Sequence, residues 1–256
     1  MTGPMRKLYL SLVCALFFMC APQSVRADIS TGLMLWWKFD EGSGTSAADS
    51  AGSNTGTLSG GPPTWVAGKV GSSALNFNGS NDVVTDGTNT AFNFAGGNSF
   101  SIAAWVKPAS ISGFLTLVSR EDGSGGWVLY NSGTGGGGDH LTFTKIGVTD
   151  IDLGFALSSG GTWQHVVLTY AAGAWVLYVD NTPRGSGTEN SSINSAAAAS
   201  LRTGATTFGE NYFGQLDEVR IYNRALSSGD VTELFNFTGG GGATCARNLS
   251  TLGVGC

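Results

Sequence analysis

Charge is scarce in this 256-residue chain: Asp, Glu, Lys and Arg make up 12% of it, with 18 acidic against 13 basic residues. No basic cluster interrupts that acidic balance, which argues against nucleic acid or an anionic membrane surface as a partner. Histidine is limited to His140 and His165. Neither accompanies a Gly-x-Ser-x-Gly turn between a strand and a helix, so a Ser-His-Asp hydrolase has no footing. His165 falls within a strand pattern and reads as a hydrogen-bonded sheet residue. The four cysteines, Cys14, Cys20, Cys245 and Cys256, lack the spacing of a zinc site. Heptads, internal repeats and helices alternating with strands are also missing, which excludes coiled coils, repeat arrays and βαβ folds.

The first 27 residues have the pattern of a signal peptide. Arg6 and Lys7 form a positive start, Leu8 to Ala21 an apolar stretch, and Val25-Arg26-Ala27 a small-residue cleavage site. The apolar stretch is shorter than the roughly 20 residues a membrane-spanning helix needs, and no other segment reads as transmembrane. Cys20 invites a lipoprotein reading, but the bulky Met19 before it is wrong for one. Cleavage before Asp28 removes Arg6, Lys7 and Arg26 and no acid, leaving 10 basic and 18 acidic residues in 229. The expected location is secreted: extracellular, periplasmic or at the cell surface. Cys245 and Cys256 survive cleavage in an oxidising compartment, so a disulfide closing the Gly-rich tail at 238–256 is expected.

What the chain does hold is glycine, 40 residues of it, between short runs of β-branched and aromatic residues. The plainest is a meander. Thr162 to Tyr170 and Ala174 to Asn181 read as strands joined by Ala171-Ala172-Gly173, with a second tight turn at Asp180-Asn181 leading into a third strand, so that residues 162–187 read as strand, turn, strand, turn, strand. In Phe100 to Lys107 the alternation sets Phe100, Ile102, Ala104 and Val106 on one face and Ser101, Ala103, Trp105 and Lys107 on the other; Pro108 ends the strand. Further strands are predicted at 33–39, 57–58, 73–77, 83–85, 114–119, 127–131, 140–144, 151–155, 200–203, 206–209 and 213–222, with a mobile loop at Gly133 to Gly138. One helix is predicted after Ser227 or Ser228, which can cap it, with Val231, Leu234 and Phe235 on one face. The fold class is therefore all-β, an antiparallel two-sheet jelly-roll sandwich with one short C-terminal helix. It occupies residues 28–237 as one domain.

Four segments carry a family resemblance: Leu35 to Gly44, Ala74 to Val84, Phe100 to Pro108, and Gly214 to Ser227, with the Trp163–Asn181 meander between the last two. In order and spacing the chain resembles the laminin-G-like jelly rolls of the concanavalin A-like lectin/glucanase superfamily, and its layout is similar to that of pentraxins. The resemblance covers about residues 33–236. Asn181 stands where the family usually has Gly, and Val83 where an aromatic is common. Residues beyond 237 lie outside it.

Glucanases on this fold carry alternating acids on one strand, and no strand here offers Glu-x-Asp or Glu-x-x-x-Glu. The adjacent pair Asp217 and Glu218 is expected to point to opposite faces of its strand. The chain is thus read as a non-enzyme. Calcium is a better match, because it takes carboxylate and carbonyl oxygens on turns. The candidate ligands are Asp40, Asp82 and Asp217, a structural site that related jelly rolls imply; the competing role is to hold turn amides. For a ligand, Trp127 and Tyr130 beside the Gly-rich loops are the candidate exposed pair, against a simpler role in packing. The reading is a secreted, non-catalytic binding module for carbohydrate or an extracellular protein. Its rivals are a structural or adhesive surface protein without a small ligand, and a diverged glycoside hydrolase.

Overall fold

The computed structural model describes residues 28–133 and 139–239. The expected signal peptide, most of the Gly133–Gly138 loop, and the tail with its Cys245–Cys256 pair lie outside the described residues. In chain order the strands are β1 (Leu33–Trp37), β2 (Ser46–Ala47), β3 (Gly56–Ser59), β4 (Thr64–Ala67), β5 (Ser73–Asn78), β6 (Val83–Thr88), β7 (Phe100–Pro108) and β8 (Leu115–Glu121). They continue with β9 (Gly126–Asn131), β10 (His140–Lys145), β11 (Thr149–Ala156), β12 (Gln164–Ala171), β13 (Ala174–Val179), β14 (Thr182–Thr188), β15 (Ser200–Thr203) and β16 (Phe213–Tyr222), followed by helix α1 (Ser228–Phe235).

Two antiparallel sheets face each other. One runs β14-β13-β12-β7-β16-β5-β4, with β1 also paired to β16; the other runs β11-β10-β9-β8-β15-β6-β3-β2. The β12–β13–β14 meander forms as predicted, and Asp180 and Asn181 take φ of 51° and 59° in the tight turn between β13 and β14. Between the sheets lies one apolar core. Phe100, Ile102, Ala104 and Val106 of β7 enter it from one side, and Trp127, Leu129 and Phe143 from the other. The opposite face of β7 contributes Ala103 to a second cluster, in which Val167 and Tyr222 of the sheet meet Val231 and Leu234 of α1. Ser227 caps α1 and Asp230 returns the bond to its backbone, an arrangement that stabilises a helix start by about 1 kcal/mol. Among the described residues no helix is long and apolar enough to cross a membrane.

Two strands escape the sequence reading, β2 and β4, and one predicted strand is absent. Residues 206–209 form a turn, because the Thr206 hydroxyl oxygen accepts the backbone N–H groups of Phe208 and Glu210, each at 3.2 Å, and so diverts the chain from a ladder. β16 is also less regular than its sequence suggests. Glu218 has φ of 55°, and the pairing with β7 slips between Asp217 and Arg220. Such a bulge re-aims side chains. Asp217 stays opposite Trp105, whereas Glu218 accepts bonds from the Trp36 Nε1 (2.7 Å) and the Arg220 Nη2 (2.5 Å). Both carboxylates therefore lie on the helix side of the sheet, not on opposite faces.

An aromatic-rimmed cleft as candidate functional site

The two sheets leave a cleft of about 440 Å³ at the end of the sandwich where β5 and β7 finish and β8 and β16 begin. Phe114 and Phe213 stand on it with 43% and 44% of their surface exposed. Between them are the polar side chains of Asn78, Ser110, Glu210 and Asn211. Exposed rings with flat apolar faces beside convergent amide, hydroxyl and carboxylate groups suit a polyhydroxylated ligand.

Local chemistry fixes each part. Phe213 pairs with Asn78 across β16 and β5, and its carbonyl accepts the Ala109 N–H at 3.0 Å. The Asn78 side chain accepts the Ser80 N–H at 2.7 Å, which closes the turn toward Asp82. Within that turn Gly79 has φ of 75°, and a Cβ there would fall 2.9 Å from the Cβ of Phe213. Only glycine lets the ring lie over the turn. Phe114 packs against Tyr130 at 5.6 Å between ring centres. The loop bearing Glu210 and Asn211 is held from beneath by the buried Glu121, which accepts the Thr207 N–H at 2.7 Å and its hydroxyl at 2.5 Å. Burial, with Glu121 and Asp150 nearby, raises the Glu210 carboxyl above its usual range.

Trp127 is not where the sequence reading puts it. It is fully buried, its Nε1 donates to the Phe92 carbonyl at 2.9 Å, and its ring stacks with Phe94 at 5.7 Å and Phe143 at 6.2 Å. The alternation of β9 turns Trp127 and Leu129 inward and leaves Tyr130 on the other face. Tyr130 is itself only 9% exposed; it supports Phe114 rather than lining the cleft. Phe114 and Phe213, which the sequence reading passed over, are the exposed rings that line the cleft; Phe208, 58% exposed, lies outside its lining. Phe213 opens β16 and Phe114 immediately precedes β8, so neither has strand neighbours on both sides whose alternation would reveal its direction.

Asp82 stands apart from the other two acids proposed for calcium, while Asp40 is near enough to Asp217 to act on it as a like charge. Asp40 accepts the Ser72 and Ser73 N–H groups at the start of β5, while Asp82 accepts the Asn78 N–H at its end. Five residues of strand separate those amides by roughly 16 Å. Asp217 accepts from the Lys69 and Val70 amides at 2.8 and 3.0 Å. Buried Asp217 Oδ1 and Asp82 Oδ1 each lack a hydrogen-bond partner, but one oxygen at each of two separate places does not make the six to eight that calcium takes. Among the described residues no three His, Cys, Asp or Glu side chains are grouped to hold a metal ion. The residues present do not fit a calcium centre built on that trio.

Three buried titratable groups lie away from the cleft. His165 is buried between Trp105 and Phe235, with centroid distances of 4.9 and 6.0 Å, and burial followed by Arg220 pushes it down to about 3. Its backbone N–H bonds to Asp180 at 2.9 Å, while its side-chain Nδ1 has no partner. It is a neutral sheet residue. Burial pushes Asp217 up to about 7 and raises Glu218 as well. Both lie under the Lys69–Val70 segment and Trp36, away from the cleft.

Known proteins place the chain. Domain 4 of AbnA, an extracellular arabinanase of Geobacillus stearothermophilus whose structure was solved with arabinotriose, is 25% identical with a TM-score of 0.65. The match covers 79% of this chain and 97% of that one. The binding domain of botulinum neurotoxin serotype G (17% identity, TM-score 0.61) and that of Paraclostridial Mosquitocidal Protein 1 (21%, 0.62) share the fold. These matches cover 79% and 82% of this chain, and the chain spans about half the length of those two, 50% and 53%. No curated protein matches. Residues 77–232 match the laminin G family model described as the concanavalin A-like lectin/glucanases superfamily. That match takes in more than half of the chain, which belongs to the concanavalin A-like lectin/glucanase superfamily.

Proposed function

We propose that this chain is an exported, non-catalytic carbohydrate-binding module that takes a glycan in the cleft between Phe114 and Phe213. The observation that carries the reading is the pair of exposed rings flanking amide, hydroxyl and carboxylate groups on one concave surface. Arabinotriose in the name of AbnA domain 4 supports it, at 25% identity over nearly the whole of that domain. Export is supported by the leader-like first 27 residues. Aromatic rings supply rigid contact area at little entropic cost, and the polar groups orient the hydroxyls.

The test is retention of the purified protein in gels containing arabinan, galactan or β-glucan, followed by titration calorimetry on the polysaccharide retained. Phe213→Ala and Phe114→Ala should each weaken binding about tenfold, the equivalent of about 1.4 kcal/mol, with melting temperature and circular dichroism close to wild type. Undiminished binding by both variants would move the site elsewhere. Release of reducing ends would refute the non-catalytic reading, and silence across a broad glycan array would favour the adhesive alternative.

A further inference from the structure

We propose that the cleft selects uncharged glycans over anionic ones, and that Glu210 sets the selection. This inference rests on the cleft being a glycan site. Among the described residues that line the cleft, Glu210 is the one ionisable side chain, and neither Lys nor Arg is present. A uronate, sialate or sulfate entering between Phe114 and Phe213 would thus meet a carboxylate with no cation beside it to offset the repulsion.

The surroundings deepen the asymmetry. Glu121 and Asp150 both act on Glu210 as like charges. Arg202, a base near Glu121, is already engaged: its Nη1 lies 3.6 Å from the Glu121 carboxylate and donates to the Glu121 carbonyl at 3.3 Å. Glu210 is also held in place. Its N–H bonds to the Thr206 hydroxyl, and that hydroxyl donates to its Oε2 at 3.3 Å, so the carboxylate is not free to swing away from an incoming anion. Toward a neutral sugar the same group is an asset, because an ionised carboxylate accepts from two hydroxyls in the bidentate manner that fixes a sugar's orientation. Rejection of anions and recognition of hydroxyls thus have one source. A discriminating site gains as much from what it repels as from what it holds.

The experiment compares affinity for neutral arabinan with affinity for polygalacturonate at pH 7 and low salt, in wild type and in Glu210→Gln and Glu210→Lys. Wild type should bind the neutral polymer at least tenfold more tightly. The neutral-to-anionic ratio should fall about tenfold in E210Q and further in E210K, and added salt should narrow it in wild type. Chitosan oligosaccharides provide a cationic arm. A wild type that binds polygalacturonate as well as arabinan would overturn the selection while leaving the glycan site intact. A ratio unchanged in both variants would overturn the role of Glu210. Preference for chitosan over every neutral polymer, lost in E210Q, would replace uncharged glycans with cationic ones. Failure to bind any polymer of the three would overturn the glycan site and this inference with it. Melting curves establish that each variant is folded.

Discussion

Replacing His165 by Gln should change how stability depends on pH, because two buried groups on the helix side of the sheet carry opposite linkages. Asp217 is pushed from 3.8 up to about 7, chiefly by burial. The folded state therefore holds its proton more tightly than the unfolded chain. That contribution is fully present below about 4 and is lost as pH rises through 7. His165 is pushed from 6.5 down to about 3. Its contribution is fully present above 6.5 and is lost as pH falls toward 3. Between pH 4.5 and 6.5 each group gives a slope of about 1.4 kcal/mol per pH unit, with opposite signs. Removing the imidazole should thus make the variant gain, relative to wild type, up to about 3 kcal/mol on going from pH 6.5 to 4.5. Asp217→Asn should lose a similar amount over the same interval. Carboxylates that do not act on either group cancel in these differences, whereas Glu218 and Asp40, which act on Asp217, make the Asp217→Asn comparison the coarser of the two. Urea unfolding at pH 4.5, 5.5 and 6.5 measures them, and H165Q and wild-type profiles that run parallel would refute the reasoning.

Two further outcomes follow from packing and donor geometry. Trp127→Ala should destabilise by about 3–5 kcal/mol, as truncation of a large buried aromatic does. Urea unfolding checks this; a variant that keeps wild-type stability but loses glycan retention would restore the surface role that burial denies it. EDTA should leave the melting temperature unmoved, because Asp82 lies apart from Asp40 and Asp217 and all three spend oxygens on backbone amides. A calcium-dependent rise abolished by Asp217→Ala alone would instead locate a cation at its unpartnered Oδ1.

The jelly roll was legible because period-2 alternation and turn chemistry agree along the strands that build its core. In β7 the pattern assigns the inner face correctly, and at Asp180-Asn181 the turn residues adopt the left-handed geometry their side chains tolerate. What escaped is what tertiary contact decides. β2 is two residues long, and β4 begins one residue after Pro62-Pro63, where local signals favour a break. Asp217-Glu218-Val219 reads as plain alternation. Only the pull of Trp36 and Arg220 on one carboxylate accompanies the bulge that turns Glu218 onto the same side as its neighbour.

The cleft was hidden for a different reason. Its parts come from residues 78–79, 110–115 and 209–213, and no stretch of sequence among them has a motif of its own. β16 joins them by pairing with β5 on one side and β7 on the other, which brings Phe213 beside the Asn78 turn and Gly214 opposite Pro108. Proximity to a Gly-rich loop misled the reading of Trp127, since a loop says where a strand ends and nothing about which way its side chains face. The alternation of Trp127 with Leu129 held that information. For Phe213 the clue was Gly79, more than 130 positions away. Its positive φ and missing Cβ make sense only once the ring is seen lying over it. A functional surface made of strand ends is recorded in such pairs, and a single sequence gives no means of matching one member to the other.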